Sequence, residues 1–76
     1  MKQKQIMDQQ NEQLLMDNIR YFRQQRARAK TRAVDLLQQG MAKQAVECMV
    51  DYHKHSIMLA QTEQELFCFR ANYNLQ

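Results

Sequence analysis

The two cysteines and two histidines of the chain are its best candidates for metal or nucleophilic chemistry, and they are Cys48, His53, His55 and Cys68. Zinc sites in helical segments need ligands at short paired spacings on one face. His53 and His55 would point about 200° apart on a helix. Cys48 and His55 share a helical face, but two ligands do not make a site, and Cys68 lies too far along the chain. We therefore expect no metal site.

A cysteine nucleophile needs a base within hydrogen-bond reach and a third group that orients the base. Cys48 has Asp51 and Tyr52 as possible helical neighbours. Two packed helices, however, offer no concave floor around such a group, and the sequence contains no glycine-rich phosphate loop. We expect no enzymatic activity and no cofactor.

A basic belt is the most distinctive charged feature of the sequence. Six cations and no acid occur within thirteen residues, and they are Arg20, Arg23, Arg26, Arg28, Lys30 and Arg32. The whole chain has a net charge of only +3, so the remainder is mildly acidic. Such a belt is suited to an acidic protein surface or to phosphates, or it forms a solvated face with weak ion pairs.

The belt supplies the predicted partner-binding residues, which are Arg20, Tyr21, Arg23, Arg28 and Arg32. Tyr21 lies off the apolar seam beside arginines, and an exposed tyrosine in that setting is a typical binding hot spot. Base-reading motifs are absent, which leaves nucleic-acid binding as the alternative rather than the first interpretation. Two intramolecular pairings are also expected: Arg26 and Lys30 near Asp51, and Arg20 near Glu63.

The composition restricts the elements that can position these residues. Proline is absent, glycine occurs once, at Gly40, and 45% of the residues are apolar. β-Sheet folds need turn residues at regular intervals, and disordered segments are poor in apolar residues. Two cysteines are too few for a disulfide scaffold. A small domain without disulfides commonly gains its stability from oligomerisation.

The apolar spacing predicts an all-α antiparallel hairpin as a single domain, with helices over about residues 8–39 and 42–72 and a turn at Gly40. The sequence leaves open whether residues 1–13 are ordered or form a frayed extension of the first helix. It favours one long first helix over a shorter one capped by Asp17 or Asn18. The first helix carries one apolar stripe with steps of four and three, formed by Leu15, Ile19, Phe22, Ala29, Ala33 and Leu36. A short turn makes the helices antiparallel neighbours, with Leu15 opposite Leu66 and Met7 opposite Tyr73.

The second helix carries two apolar stripes. The first, running from Ala45 through Leu59 to Tyr73, packs on the first helix. The second leaves a surplus, formed by Val46, Val50, Ile57, Ala60 and Phe67. Because exposed apolar strips mark interfaces, we expect these residues to form a homodimer interface in a four-helix bundle with the second helices central. A hetero-complex would satisfy the same surface.

Together these features predict a small non-enzymatic regulator, adaptor or inhibitor that binds a larger protein, with an acidic surface, through its basic helical face. The alternatives are a nucleic-acid-binding hairpin dimer and a structural subunit or co-chaperone of a larger assembly. The absence of a signal peptide or membrane span predicts a cytoplasmic protein with reduced thiols. Small size and glutamine-rich polarity are typical of an accessory protein of a bacterium, phage or plasmid.

Overall fold

The protein is a hairpin of two long antiparallel helices. The computed structural model describes the backbone of residues 2–75 and the side chains of residues 10–72. Helix α1 spans Lys2–Gln38 and helix α2 spans Ala42–Leu75. The extents of 59 × 16 × 12 Å correspond to one helix in length and two helices in width. The predicted all-α hairpin is confirmed.

Helix α1 runs without interruption past Asp17 and Asn18, so the single long helix is confirmed over a shorter one starting near Ile19. The helix begins at Lys2, before the predicted start at residue 8. No proline or glycine lies inside either helix, which removes the commonest causes of a break. The predicted contact of Met7 with Tyr73 lies outside the described side chains.

Gly40 ends α1 in a Schellman motif. Its φ of +78° lies in the left-handed region, as the sequence predicts. The Gly40 N–H donates to the carbonyl of Leu37 (3.0 Å), and the Met41 N–H donates to the carbonyl of Leu36 (2.8 Å). The carbonyl of Met41 then accepts from the Ala45 N–H (3.0 Å) and starts α2. The chain therefore reverses within three residues, which fixes the register of the two helices.

The seam between the helices buries the predicted stripes. Ile19, Ala33, Ala45 and Leu59 are buried, and most other members of the two stripes are half-buried. Ala33 and Ala45 have almost no exposed surface, so small side chains let the helices approach closely beside the turn. The buried polar residue of the seam, Thr62, donates its hydroxyl to the carbonyl of Met58 (2.8 Å), which satisfies the buried oxygen.

A two-helix seam does not enclose a core. Among the described residues, no large side chain is completely buried. The radius of gyration is 17.2 Å, whereas a compact domain of this length has about 11 Å. The second stripe of α2 faces away from α1 and is exposed. The hairpin therefore leaves much of its apolar surface in water.

Leu59→Ala should lower the free energy of unfolding by about 2–5 kcal/mol, because Leu59 is only 3% exposed in the seam. Met58→Ala removes a side chain of similar size at an exposed neighbouring position, so it should lower the free energy of unfolding much less. Chemical denaturation followed by circular dichroism at one fixed protein concentration measures both. Equal costs for the two variants would contradict the burial of Leu59.

Gly40→Val should destabilise the hairpin by at least about 1–2 kcal/mol, because a β-branched residue at this positive φ is strained. An added Cβ would meet nothing within 4 Å, so the cost comes from the backbone alone. Gly40→Asn is the matched control, because asparagine tolerates the left-handed region and should cost less. Thermal denaturation compares the two, and an equally stable valine variant would place the turn elsewhere.

Candidate partner-binding surface

The arginines of α1 lie on two sides of the seam. Arg20, Arg23 and Lys30 occupy one side, which we call the Arg23 flank. Tyr21, Gln25, Arg28 and Arg32 occupy the other, which we call the Arg28 flank. Heptad spacing explains the split, because Tyr21 and Arg28 share one helical position and Arg23 and Lys30 share another. Arg26 lies in the seam itself and is half-buried. The predicted partner-binding residues therefore belong to two surfaces rather than one.

The Arg28 flank borders a groove of about 640 Å³ between the helices, which we call the Arg28 groove. Seam residues form its floor: Ala29, Leu36, Cys48 and His55. Side chains of both helices form its walls: Gln25, Arg28, Arg32, Gln44, Glu47 and Asp51. The expectation that a helical hairpin has no concave surface was wrong here, because the small side chains of Ala29 and Cys48 leave the seam unfilled.

The charges of the Arg28 groove are mixed. Arg28 and Arg32 project from α1, and Glu47 and Asp51 project from α2. None of these four forms an ion pair within 4 Å among the described side chains. All four are exposed, so they remain available to a ligand that carries charges of both signs.

His55 is held in place by its own helix. Its Nδ1 lies 2.8 Å from the carbonyl oxygen of Asp51. A carbonyl oxygen only accepts, so Nδ1 carries the proton in this bond. The ring also lies 6.5 Å from the ring of Phe22, centroid to centroid. His55 therefore serves as a packed floor residue of the seam.

Ion pairs between the helices neutralise Arg23 on the Arg23 flank and the neighbouring Arg70 of α2. Arg23 Nη2 lies 3.4 Å from Glu63 Oε1, and Arg70 Nε lies 3.0 Å from Glu12 Oε1. Arg20 and Arg23 border a second, smaller groove of about 350 Å³ together with Arg70. Ion pairs exposed in this way contribute little stability, but they reduce the positive potential of the flank.

The ion pair at Glu63 and the cations that share a groove with Asp51 differ from those predicted for Arg20 and Lys30. Glu63 pairs with Arg23 rather than Arg20, because Arg23 borders the seam and Arg20 lies one position further around α1. Asp51 shares its groove with Arg28 and Arg32 rather than with Lys30, which lies on the opposite flank. Arg26 lies in the seam and is half-buried.

The exposure of the remaining predicted residues differs from one to the next. Tyr21 is exposed and packs edge-on against Phe22, with ring centroids 5.6 Å apart. The predicted dimer-interface residues, Val46, Val50, Ile57, Ala60 and Phe67, are all exposed. Cys48 is half-buried and Cys68 is exposed, and both are free thiols. The sequence analysis did not identify Gln44 and Glu47 as groove residues. Their positions beside the α2 seam were the signal that could have identified them.

Among the described residues, no three side chains of histidine, cysteine, aspartate or glutamate are grouped as a metal site would require. Neither helix, over residues 2–75, has a segment sufficiently long and apolar to cross a membrane. No family model, curated protein or solved structure matches the chain. The proposed function therefore rests on the geometry of the two flanks.

The coupling between Arg23 and Glu63 should be below about 1 kcal/mol, because their side chains are 62% and 46% exposed. A double-mutant cycle with Arg23→Ala and Glu63→Ala, read by chemical denaturation, isolates this coupling. A coupling several times larger would mean that the pair is a structural clamp and that Arg23 is unavailable to a partner.

Proposed function

We propose that the protein is a small non-enzymatic regulator, adaptor or inhibitor that binds a larger protein through the Arg28 flank. The observation that carries this proposal is the combination of an exposed Tyr21 with Arg28 and Arg32, whose guanidinium groups have no ion-pair partner among the described side chains. Tyrosine and arginine are, with tryptophan, the residues enriched among the hot spots of protein interfaces.

The Arg28 groove supports a partner of mixed charge. A carboxylate of the partner can accept paired hydrogen bonds from a guanidinium, and a cation of the partner can meet Glu47 or Asp51. Because complementary charges mainly accelerate encounter and select the orientation, the apolar floor and Tyr21 supply most of the affinity. The predicted acidic surface is thus the part of the partner that faces Arg28 and Arg32.

The same groove disfavours nucleic acid as the ligand of this flank. A phosphate backbone gains affinity by releasing counterions as cations neutralise successive phosphates. Glu47 and Asp51 line the groove opposite the arginines and would repel that backbone. We therefore keep nucleic-acid binding as an outcome of the test and not as a second proposal.

The test is capture of a partner by tagged protein from a lysate, with nuclease-treated and untreated halves compared by absorbance and mass spectrometry. We expect one stoichiometric protein that survives nuclease treatment. Arg28→Glu and Arg32→Glu should each reduce its capture about tenfold or more, as expected for hot-spot arginines. Lys30→Glu is the matched control, because it makes the same charge change on the opposite side of α1 and should leave capture unchanged.

Two results would contradict the proposal. Nucleic acid that co-elutes and disappears with nuclease, leaving no protein, would favour the nucleic-acid alternative. A captured protein that is lost equally with Arg28→Glu and Lys30→Glu would show that the response is to net charge and not to the Arg28 flank.

A further inference from the structure

The outward side of α2 carries a second heptad stripe. Its members recur in steps of four and three, as the seam residues do, and all are exposed: Val46, Val50, His53, Ile57, Ala60, Gln64 and Phe67. At about 100° per residue, this stripe lies roughly 150° around α2 from the seam. Helix α2 is thus built to pack on two opposite sides, and α1 covers only one of them.

The exposed area is sufficient for a stable interface. A compact chain of 9.2 kDa exposes about 4,900 Å² by the usual scaling with mass. The hairpin exposes 6366 Å². Taken over the whole elongated chain, this excess is larger than the roughly 800 Å² that each partner buries in an interface of standard size. Phe67 and Val50 contribute to it directly, since they are 74% and 62% exposed.

We propose that a second copy of this chain covers the stripe, with the two α2 helices antiparallel about a two-fold axis midway between Met58 and Leu59. This arrangement places Val50 of one copy opposite Phe67 of the other, and Ile57 opposite Ala60. In antiparallel coiled coils an a position of one helix faces a d position of the other. Val50 and Ile57 take a positions, and Ala60 and Phe67 take d positions, so both pairs obey that rule. Each layer then combines a larger with a smaller side chain.

The polar members of the stripe fix the same register. His53 and Gln64 are equidistant from the two-fold axis, so each meets the other across the interface and can form a hydrogen bond with it. A polar group buried without a partner is costly, so this pairing disfavours any shift of register. A parallel arrangement would instead stack Phe67 on Phe67 and Ala60 on Ala60, giving one overfilled layer and one void.

The charges allow this self-association. The stripe contains no acidic or basic side chain other than His53. Charged residues flank the stripe on both sides, Glu47 and Lys54 on one and Glu63 and Arg70 on the other, and the last two are engaged by Arg23 and Glu12 of the same chain. In the proposed register Glu47 lies near Cys68 and Lys54 near Gln61 of the other copy, so no like charges face each other. Because the two seams are on opposite sides of α2, the dimer is a layer of four helices with the α2 pair in the middle. The α1 wall of each Arg28 groove, with Arg28 and Arg32, stays outside the new interface, whereas Glu47 on the α2 wall borders it.

Sedimentation equilibrium tests the association at about 100 µM, well above the dissociation constant expected of a standard interface. We expect twice the 9.2 kDa mass of one chain for the unmodified protein. Ile57→Glu should halve that mass. Val34→Glu is the matched control, because Val34 is equally exposed but lies on α1, and it should remain dimeric. A single-chain mass for the unmodified protein, or a dimeric Ile57→Glu variant, would overturn the proposal.

Cysteine cross-linking tests the orientation in protein that keeps its fold. In a background with Cys48→Ala and Cys68→Ser, one variant carries Val50→Cys and a second, differently tagged variant carries Phe67→Cys. We expect mild oxidation to cross-link the mixture into the mixed dimer only, since disulfides need Cα atoms within about 7 Å. Cross-linking of each variant with itself would show a parallel pair. That result, or the absence of any cross-link, would overturn the proposed register.

Discussion

The number of apolar stripes on α2 is the constraint on which the rest of the molecule depends. A single helix can cover one stripe of its neighbour, and α1 covers the one that contains Leu59 and Thr62. The second stripe remains in water, with Phe67 about three-quarters exposed at one end of it. A chain of this size gains little from its own core, so the free energy available from covering that stripe is large relative to the stability of the hairpin.

Close helix approach at the turn determines where the polar side chains lie. Gly40 reverses the chain within three residues, and Ala33 and Ala45 bring the two backbones together beside it. This geometry sets the antiparallel register along the whole seam. It places Arg28 and Arg32 across a groove from Glu47 and Asp51, whereas Arg23 meets Glu63 directly. The division of one basic belt into two chemically different flanks follows from this packing.

The sequence was sufficient to predict the helices, the turn and the buried stripe, because a period of three to four residues and a single glycine encode them directly. It was insufficient to predict which cation meets which acid. Arg20 and Arg23 both come near the level of Glu63 in the antiparallel hairpin, and only their angular positions around α1 determine which of them pairs with it. It also failed to reveal the Arg28 groove, which arises because Ala29 and Cys48 are too small to fill the seam.

The central claim is that α2 packs on α1 with one side and on a second copy with the other. Intermolecular nuclear Overhauser effects between the methyl groups of Val50 and the ring of Phe67 test it most directly. Within one chain these residues are about 25 Å apart along α2, too far for any such signal. The account predicts strong Val50–Phe67 signals at concentrations where the dimer forms. The account would be contradicted if the Val50 methyl groups and the Phe67 ring showed nuclear Overhauser effects only to residues of their own chain.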